Sequence, residues 1–174
     1  MKILITGPQG SGKTTQSQMV AQRLSLCLID SGDLVRDKSQ EDSEVGRNLK
    51  DSLAKGLLSN DAVVADLVKK KISEESCQDR LVMDGYPREL HQLDFFDPKF
   101  DKAFYLELSD AEALERLLKR GRADDTPELI RTRLAIYHKR TEPVLDYYRK
   151  QGILTTVDGS QSIKAITEAI IKSL

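Results

Sequence analysis

Short apolar runs alternate with longer amphipathic stretches along this chain. The apolar runs are bounded by polar or turn-forming residues, a pattern that predicts β-strands. They are Ile3–Thr6, Leu26–Ile29, Leu81–Met83, Ala103–Leu108 and Ile153–Val157. Because helical stretches separate these runs, the pattern predicts an α/β fold with a mostly parallel sheet that helices cover on both faces.

Two of the amphipathic stretches have a clear helical period. The first is Asp110–Lys119, and the second is Pro127–Arg149, which we expect Pro143 to kink or break. The apolar face predicted for the first helix consists of Ala111, Leu114, Leu117 and Leu118. Residues 31–74 contain no convincing strand, so they are expected to form several short helices between the second and third strands.

Length and charge limit the possible partners. The 174 residues suit a single domain, residues 1–174, and a net charge of −1 gives no overall positive field for nucleic acid. The longest apolar runs are too short to cross a bilayer, and the apolar run that follows Lys2 at once indicates a strand and not a signal peptide. We therefore expect a cytoplasmic protein whose two cysteines, Cys27 and Cys77, are reduced.

A glycine-rich loop gives the clearest functional signal. The run Gly7-Pro8-Gln9-Gly10-Ser11-Gly12-Lys13-Thr14 fits the phosphate-loop pattern G-x-x-x-x-G-K-[ST] and lies between a predicted strand and an amphipathic run. In such a loop the backbone N–H groups and the following helix N-terminus bind phosphate oxygens. Lys13 is expected to reach the β- and γ-phosphates of ATP, and the Thr14 hydroxyl to ligate magnesium.

Asp84 is the second candidate for the site. It follows the apolar run Leu81–Met83, and ligands of parallel sheets gather at the carboxyl ends of the strands. Beside a phosphate loop, its carboxylate is suited to holding magnesium through water. The alternative is an aspartate that caps a turn at the end of its strand, because Gly85 follows.

Together these motifs resemble those of adenylate kinases and related nucleoside monophosphate kinases. The resemblance rests on the order and spacing of the phosphate loop, of Ser31-Gly32-Asp33-Leu34-Val35-Arg36 and of Asp84-Gly85-Tyr86-Pro87-Arg88. Shorter matches continue to Val157-Asp158-Gly159, so it covers essentially the whole chain. It implies a P-loop three-layer fold with a five-stranded parallel sheet, a helical monophosphate-binding insert at residues 31–60 and a lid over ATP.

The resemblance also implies a set of site residues. Those expected to bind ATP are Gly7, Gly10, Ser11, Gly12, Lys13, Thr14, Thr15, Arg116, Arg120 and Gln161. Those expected to bind the acceptor monophosphate are Ser31, Gly32, Arg36, Gly85, Arg88 and Gln92. Those expected to be catalytic are Lys13, Arg88, Arg120, Arg122 and Arg133, and the expected magnesium ligands are Thr14 and, through water, Asp84.

Two charged groups near the expected lid have alternative interpretations. Arg116 and Arg120 share one helix face, which is either the ATP side of the cleft or a solvated face on which Arg116 pairs with Glu112. Asp124 and Asp125 are expected to pin the lid loop, to cap the next helix, or to do both.

The chain departs from the family pattern in three places. Thr14 stands where many adenylate kinases carry glycine. Glu89, next to Arg88, is expected near the acceptor base, where its carboxylate can accept from the cytosine amino group as well as from adenine. Only Gly121–Thr126 separates the two helices, so the lid is the short loop 120–126, and it offers no cysteine cluster for structural zinc.

We expect an ATP:AMP phosphotransferase that makes two ADP, uses magnesium and no zinc, is a monomer and binds neither nucleic acid nor membrane. AMP is favoured because Gln92, one helical turn beyond Arg88, can offer adenine both a donor and an acceptor; alternatively, Gln92 is an ordinary surface residue. A UMP or CMP kinase is a second possibility, and a nucleotide-dependent regulatory module is a third. Such a module would not need both Arg36 and Arg88.

Overall fold

The sheet forms the centre of the protein, for which a computed structural model describes residues 1–74, 77–122 and 125–174. Its strands are β1 (Lys2–Thr6), β2 (Cys27–Asp30), β3 (Leu81–Asp84), β4 (Lys102–Glu107) and β5 (Leu154–Asp158). All neighbouring strands are parallel, in the order β2-β3-β1-β4-β5. The predicted five-stranded α/β fold is therefore confirmed, and each strand lies within one residue of its predicted bounds.

Helices connect the strands and cover both faces of the sheet. They are α1 (Lys13–Leu24), α2 (Ser31–Lys38), α3 (Glu44–Ala54), α4 (Asp61–Ser73), α5 (Gln92–Phe95), α6 (Asp110–Arg120), α7 (Pro127–Ile136), α8 (Glu142–Lys150) and α9 (Ile163–Lys172). The stretch between β2 and β3 is helical, as predicted, and contains α2, α3 and α4. At the N-termini of these helices, backbone N–H groups donate to the side chains of Asp30 (α2), Ser43 (α3) and Asn60 (α4).

The two faces of the sheet bury separate apolar clusters. Ile3 and Ile5 pack in one cluster with Val20 of α1 and the apolar side of α9. Leu4, between them in sequence, packs in the other cluster with α2, α4 and α8, where Tyr148 is also buried. This division follows from the strand geometry, because successive side chains point to opposite faces. Burial on both faces explains why the strands are continuous apolar runs.

A third, smaller cluster joins α6 to α7 near the lid. It buries Ala113 and Leu117 of α6 against Ile130 and Leu134 of α7. The apolar face predicted for α6 was therefore partly wrong, since Leu118 is 44% exposed. On each helix the two buried residues are four positions apart, which is about one helical turn. The contact between the helices is therefore narrow, and Leu118 lies outside it in solvent.

The long helical stretch is broken before Pro143, as predicted. α7 ends at Ile136, a π-helical turn spans Tyr137–Thr141, and α8 begins at Glu142. Proline has no N–H group to donate to the preceding turn, and its ring excludes the carbonyl four residues earlier. The wider turn accommodates both constraints and places the Thr141 hydroxyl within hydrogen-bond distance of the Arg88 carbonyl.

The two cysteines correct a prediction. Cys27 and Cys77 form a disulfide, with their Cα atoms 5.1 Å apart, whereas reduced thiols were expected. The bond joins the start of β2 to the chain just before β3, so it closes the loop that contains the helical insert. Among the described residues, no helix has the length and apolar character needed to cross a membrane.

Candidate active site

The phosphate loop lies at the carboxyl end of β1, the central strand, and runs into α1. At Gly10, φ is 86° and an added Cβ would lie 2.9 Å from the Ala113 carbonyl oxygen, so only glycine allows the loop to pack directly on α6. At Gly7 an added Cβ would lie 2.7 Å from the Leu106 carbonyl oxygen. The loop is thus shaped by its own backbone and by the elements beneath it.

Lys13, Thr14 and Asp84 meet at the mouth of this loop. Lys13 Nζ donates to the Pro8 carbonyl at 3.2 Å, and the Thr14 hydroxyl donates to Asp84 Oδ2. Burial lowers the pKa of Lys13, an effect that the Asp84 carboxylate opposes. Burial raises the pKa of Asp84, an effect that Lys13 opposes. Each group therefore favours the charged form of the other in a partly dehydrated site.

Asp84 has an oxygen that no described group satisfies. The residue is 2% exposed, and its Oδ1 atom has no hydrogen-bond partner among the described residues. A buried carboxylate oxygen without a partner is costly, which indicates that another group satisfies it during function. Carboxylate, hydroxyl and water oxygens are ligands that magnesium prefers, so Thr14 and Asp84 fit that ion.

Arg36 and Arg88 lie across the cleft from the phosphate loop. Arg88 Nε donates to the Gly85 carbonyl at 2.9 Å, and Arg88 lines the same cleft as Asp84 and Lys13. Arg36, on the insert helix α2, pairs with Asp33 and lies 3.9 Å from Asp30. One guanidinium is therefore fixed on the core, and the other is carried by the insert.

The segment that carries Arg88 is held from three sides. The Arg88 N–H donates to Gln92 Oε1 at 2.7 Å, and the Thr141 hydroxyl donates to the Arg88 carbonyl at 2.8 Å. Gln92 is 2% exposed, and its Nε2 donates to Asp61 at 2.9 Å, so it is not a surface residue. Glu89 accepts from Arg140 with both oxygens, at 3.0 and 2.8 Å.

Asp125 is the shared partner of several arginines at the loop between α6 and α7. Its side chain is fully buried and accepts from Arg120 at 2.8 and 2.7 Å and from the backbone N–H of Arg122 at 3.2 Å. Arg133 Nη1 lies 3.8 Å from the same carboxylate. Hydrogen bonds from Arg120 hold the pKa of Asp125 below its usual range, so the carboxylate stays ionised. Asp125 thus bonds to Arg120 and to the Arg122 backbone, and its role in holding a lid loop stays a prediction.

The other expectations for Asp124 and Asp125 have different outcomes. Thr126, not Asp125, accepts from the Leu129 N–H and caps α7, so capping by Asp125 was wrong. Asp124 lies outside the described residues.

Arg116 reaches the loop after β5. Its guanidinium donates to the Gly159 carbonyl at 2.9 Å, while Glu112 accepts from Ser109. Arg116 is therefore not paired with Glu112, which was the contact expected if this helix face were only solvated. Gln161 lies on the same loop, where its amide donates to Asp158 at 3.3 Å.

A single cleft of about 530 Å³ brings most of the predicted residues together. Its lining includes Gly10, Gly12, Lys13, Thr14, Thr15, Gly32, Arg36, Asp84, Arg88, Arg116, Arg120, Arg122 and Arg133. Gly7 and Gly85 line a small adjoining cavity that shares Lys13 and Arg88 with the cleft. The residues outside both linings are Ser11, Ser31, Gln92 and Gln161. Ser31 instead donates to the Gly85 carbonyl at 2.7 Å and ties α2 to the core.

The structure adds residues that the sequence analysis missed. Asp30 lines the cleft beside Asp84, and Leu53, Leu57 and Leu58 give the insert an apolar wall. One signal was available for Asp30, because it follows the predicted strand Leu26–Ile29 just as Asp84 follows its own strand. The leucines carried no comparable signal, since apolar residues of a helical insert are equally expected in its core.

The cleft therefore has two cationic walls that can hold two phosphate-bearing molecules end to end, with a buried carboxylate between them. A phosphate loop on the central strand of a parallel sheet, opposed by arginines in this way, defines a P-loop phosphotransferase.

Comparisons with known proteins narrow this class. The family model for adenylate kinase matches residues 5–153. Adenylate kinase of Bifidobacterium longum is 37% identical, with all of both chains covered. Adenylate kinase 2 of a Nostoc species is 34% identical over 100% of this chain and 98% of the relative, and adenylate kinase of a Synechococcus species is 37% identical over 97% and 96%. The chain belongs to the adenylate kinase family, and the resemblance inferred from its motifs is confirmed.

Proposed function

We propose that this protein transfers the γ-phosphoryl group of ATP to AMP and so produces two molecules of ADP. The observation that carries the proposal is the pair of opposed phosphate-binding walls in one cleft. The phosphate loop with Lys13 forms one wall, and Arg36 with Arg88 forms the other. A protein that only bound or hydrolysed ATP would have no use for the second wall.

Transfer in this cleft is a matter of position and charge. A phosphate oxygen of AMP forms a bond to the γ-phosphorus while the bond to the bridging β-phosphate oxygen breaks, and the electron pair leaves with ADP. The attacking phosphate is already largely a dianion at pH 7, so no side chain has to remove a proton. Catalysis then depends on aligning the two phosphates and offsetting their charge.

The arginines are suited to that task. Arg88 is held by its bond to the Gly85 carbonyl, and Arg120 by Asp125, so their guanidinium planes are ordered before substrate binds. Arg122 and Arg133 line the same cleft and have side chains that can approach the transferring group. A guanidinium offers paired donors to phosphate and remains charged, which suits it to a developing phosphate charge.

Magnesium fits the oxygens of Thr14 and Asp84, and we propose it as the cofactor that accompanies ATP. When bound, it neutralises phosphate charge and orients the oxygens of the leaving group. We expect no zinc requirement. Among residues 1–74, 77–122 and 125–174, no group of three or more His, Cys, Asp and Glu side chains is arranged to hold a metal.

AMP is the proposed acceptor because of Gln92 and Glu89. The Gln92 amide is oriented by its bonds to Arg88 and Asp61, which leave one donor and one acceptor position unused, and Gln92 lies outside the cleft lining. Glu89, the residue that made a cytosine acceptor plausible, is occupied by Arg140 and is not part of the cleft lining. The ion pair with Arg140 removes the argument for a cytosine acceptor, and recognition of adenine by Gln92 stays a prediction.

We further propose a single catalytic domain in which residues 31–60 close over AMP and loop 120–126 closes over ATP. We propose a monomer that acts in the cytoplasm without nucleic acid or a membrane. The disulfide between Cys27 and Cys77 opposes the cytoplasmic assignment, because such bonds are rare in reducing compartments. Counting free thiols in freshly lysed cells, with alkylation before purification, tests that assignment.

The product profile tests the reaction itself. Purified protein is given MgATP with AMP, CMP, UMP or GMP in turn, and nucleotides are separated by ion-exchange chromatography. We expect ADP to form at twice the rate of AMP loss, and the highest kcat/KM with AMP. ADP formation that is independent of any monophosphate would support the regulatory module instead, and preferred turnover of UMP or CMP would support the pyrimidine kinase.

A further inference from the structure

Asp30 lies beside Asp84 at the carboxyl edge of the sheet. It is the last residue of β2, Asp84 is the last residue of β3, and the two are paired in the register of these parallel strands. Paired residues of neighbouring parallel strands point to the same face and are separated by about 5 Å. Two carboxylates therefore stand side by side in the cleft, on the side where Lys13 and Thr14 lie.

The two oxygens of Asp30 have different surroundings. Oδ1 accepts from the backbone N–H groups of Gly32 at 2.7 Å and Asp33 at 3.2 Å, which caps α2. Oδ2 has Arg36 at 3.9 Å, beyond hydrogen-bond distance. One oxygen is thus committed to the helix cap, and the other makes a long ion pair with Arg36 and accepts no hydrogen bond from the described residues.

Asp84 supplies an independent sign that a ligand belongs here. Its Oδ1 atom is buried and has no partner among the described residues, while Oδ2 accepts from Thr14. Two adjacent carboxylates repel each other. A hydrated divalent cation relieves both the repulsion and the missing hydrogen bond, since its water molecules donate to carboxylates.

We propose that Asp30 is a second carboxylate of the magnesium shell and accepts hydrogen bonds, together with Asp84, from water molecules bound to the ion that accompanies ATP. Asp30 is a positioning residue that acts through these waters, and it also begins the helix that carries Arg36. The inference rests on the proposed use of magnesium with ATP, but it does not depend on which monophosphate is the acceptor.

The test measures metal binding in the absence of an acceptor. Manganese is titrated into the full-length protein with a non-hydrolysable ATP analogue, and free manganese is followed by electron paramagnetic resonance. Asp30→Asn removes the charge and keeps the helix cap, because asparagine caps as well as aspartate. We expect it to raise the manganese dissociation constant about tenfold, the usual effect of losing a group that holds a metal-bound ligand.

A matched control separates this effect from general electrostatics. Asp37→Asn also removes one negative charge, from an exposed position on α2, the helix that Asp30 caps. We expect the manganese affinity of this variant to stay within about twofold of wild type. With EDTA present, the affinity of Asp30→Asn for the analogue should be unchanged or higher, because a carboxylate near the phosphates has been neutralised.

Three results would overturn the proposal. The first is a manganese affinity of Asp30→Asn that is within twofold of wild type, and the second is an equal loss of manganese affinity in Asp37→Asn. The third is a matching loss of metal-free nucleotide binding in Asp30→Asn, which would indicate damage to the fold. A loss in Asp33→Asn without one in Asp30→Asn would move the role to the neighbouring carboxylate. None of these outcomes depends on AMP being the acceptor, so a wrong acceptor leaves the test intact.

Discussion

The two walls of the cleft are built in different ways. On the ATP side, a backbone loop between β1 and α1 packs on α6 and presents Lys13 and Thr14. On the acceptor side, side chains bridge the insert to the core: Ser31 bonds Gly85, and Asp61 bonds Gln92. The ATP wall therefore takes its shape from the backbone of the loop, packed on α6, whereas the acceptor wall depends on side-chain hydrogen bonds between segments that are 31 and 54 residues apart.

This difference has a mechanical consequence. Because the glycines shape the phosphate loop and the insert does not, we expect ATP to bind whether or not the insert is closed. The acceptor wall is complete only when α2 and α4 are seated on the core, because Arg36 lies on the insert and Arg88 on the core. Perturbing the ATP wall should abolish chemistry, and perturbing the acceptor wall should change affinity, closure and selectivity.

The largest expected effect comes from the ATP wall. Lys13→Met removes the only lysine of the phosphate loop, and cationic contacts to transferring phosphates carry factors of about 10³ or more. We expect kcat to fall by at least that factor while circular dichroism is unchanged. Lys172→Met, at the far end of α9, is the matched control and should retain full activity. Near-normal turnover of a folded Lys13→Met protein would remove the loop from the mechanism.

The second-largest expected effect concerns the disulfide between Cys27 and Cys77, which links the two ends of the helical insert. The disulfide joins residues 50 apart in sequence, and on the chain-entropy account such a cross-link stabilises the fold by about 4 kcal/mol. Reduction should therefore lower the melting temperature by about 10 °C. The Cys27→Ala, Cys77→Ala double variant is the control, since its melting temperature should not respond to reductant. A wild-type melting curve that reductant leaves unchanged would show that the bond contributes nothing.

The third effect separates the two substrates. Arg88→Lys keeps the charge and loses the paired donors of the guanidinium, so we expect kcat/KM for AMP to fall about 100-fold while the KM for ATP changes little. Arg36→Lys, at a side chain that is 47% exposed, should cost about tenfold. Steady-state kinetics with each substrate varied in turn measures both. An equal rise in both KM values would mean that Arg88 serves the two walls together.

The same contrast explains what sequence alone could predict. The strands, the phosphate loop and the break before Pro143 each depend on residues close in the chain, and all three were predicted correctly. Asp30 gained importance only when β2 and β3 were found to be neighbours, because strand order is not written in local sequence. The pairing of Cys27 with Cys77 depends on the same adjacency, and composition alone favoured the reduced form.

Gln92 was identified from its spacing in the sequence, but its contacts could be known only from the structure. Its spacing of one helical turn from Arg88 marked it as a candidate for contact with the acceptor base, and the structure places it outside the cleft lining with its amide bonded at both ends. An amide has two donor and two acceptor positions, so these bonds leave one of each. They also fix which end is oxygen and which is nitrogen. Recognition of adenine by Gln92 stays a prediction.

The smallest expected effect tests that prediction. Gln92→Ala should reduce the preference for AMP over CMP and UMP, measured as the ratio of kcat/KM values, by about tenfold, the usual order for one lost hydrogen-bonding group at a base edge. Asp61→Ala leaves the glutamine in place and removes one of the two bonds that orient its amide, so we expect about a threefold loss of preference with kcat almost unchanged. Gln151→Ala, at an exposed glutamine after α8, is the matched control. If Gln92→Ala keeps the full preference for AMP, the base is selected elsewhere on the acceptor wall. The apolar side chains of Leu53, Leu57 and Leu58 then become the candidates, because they line the same cleft.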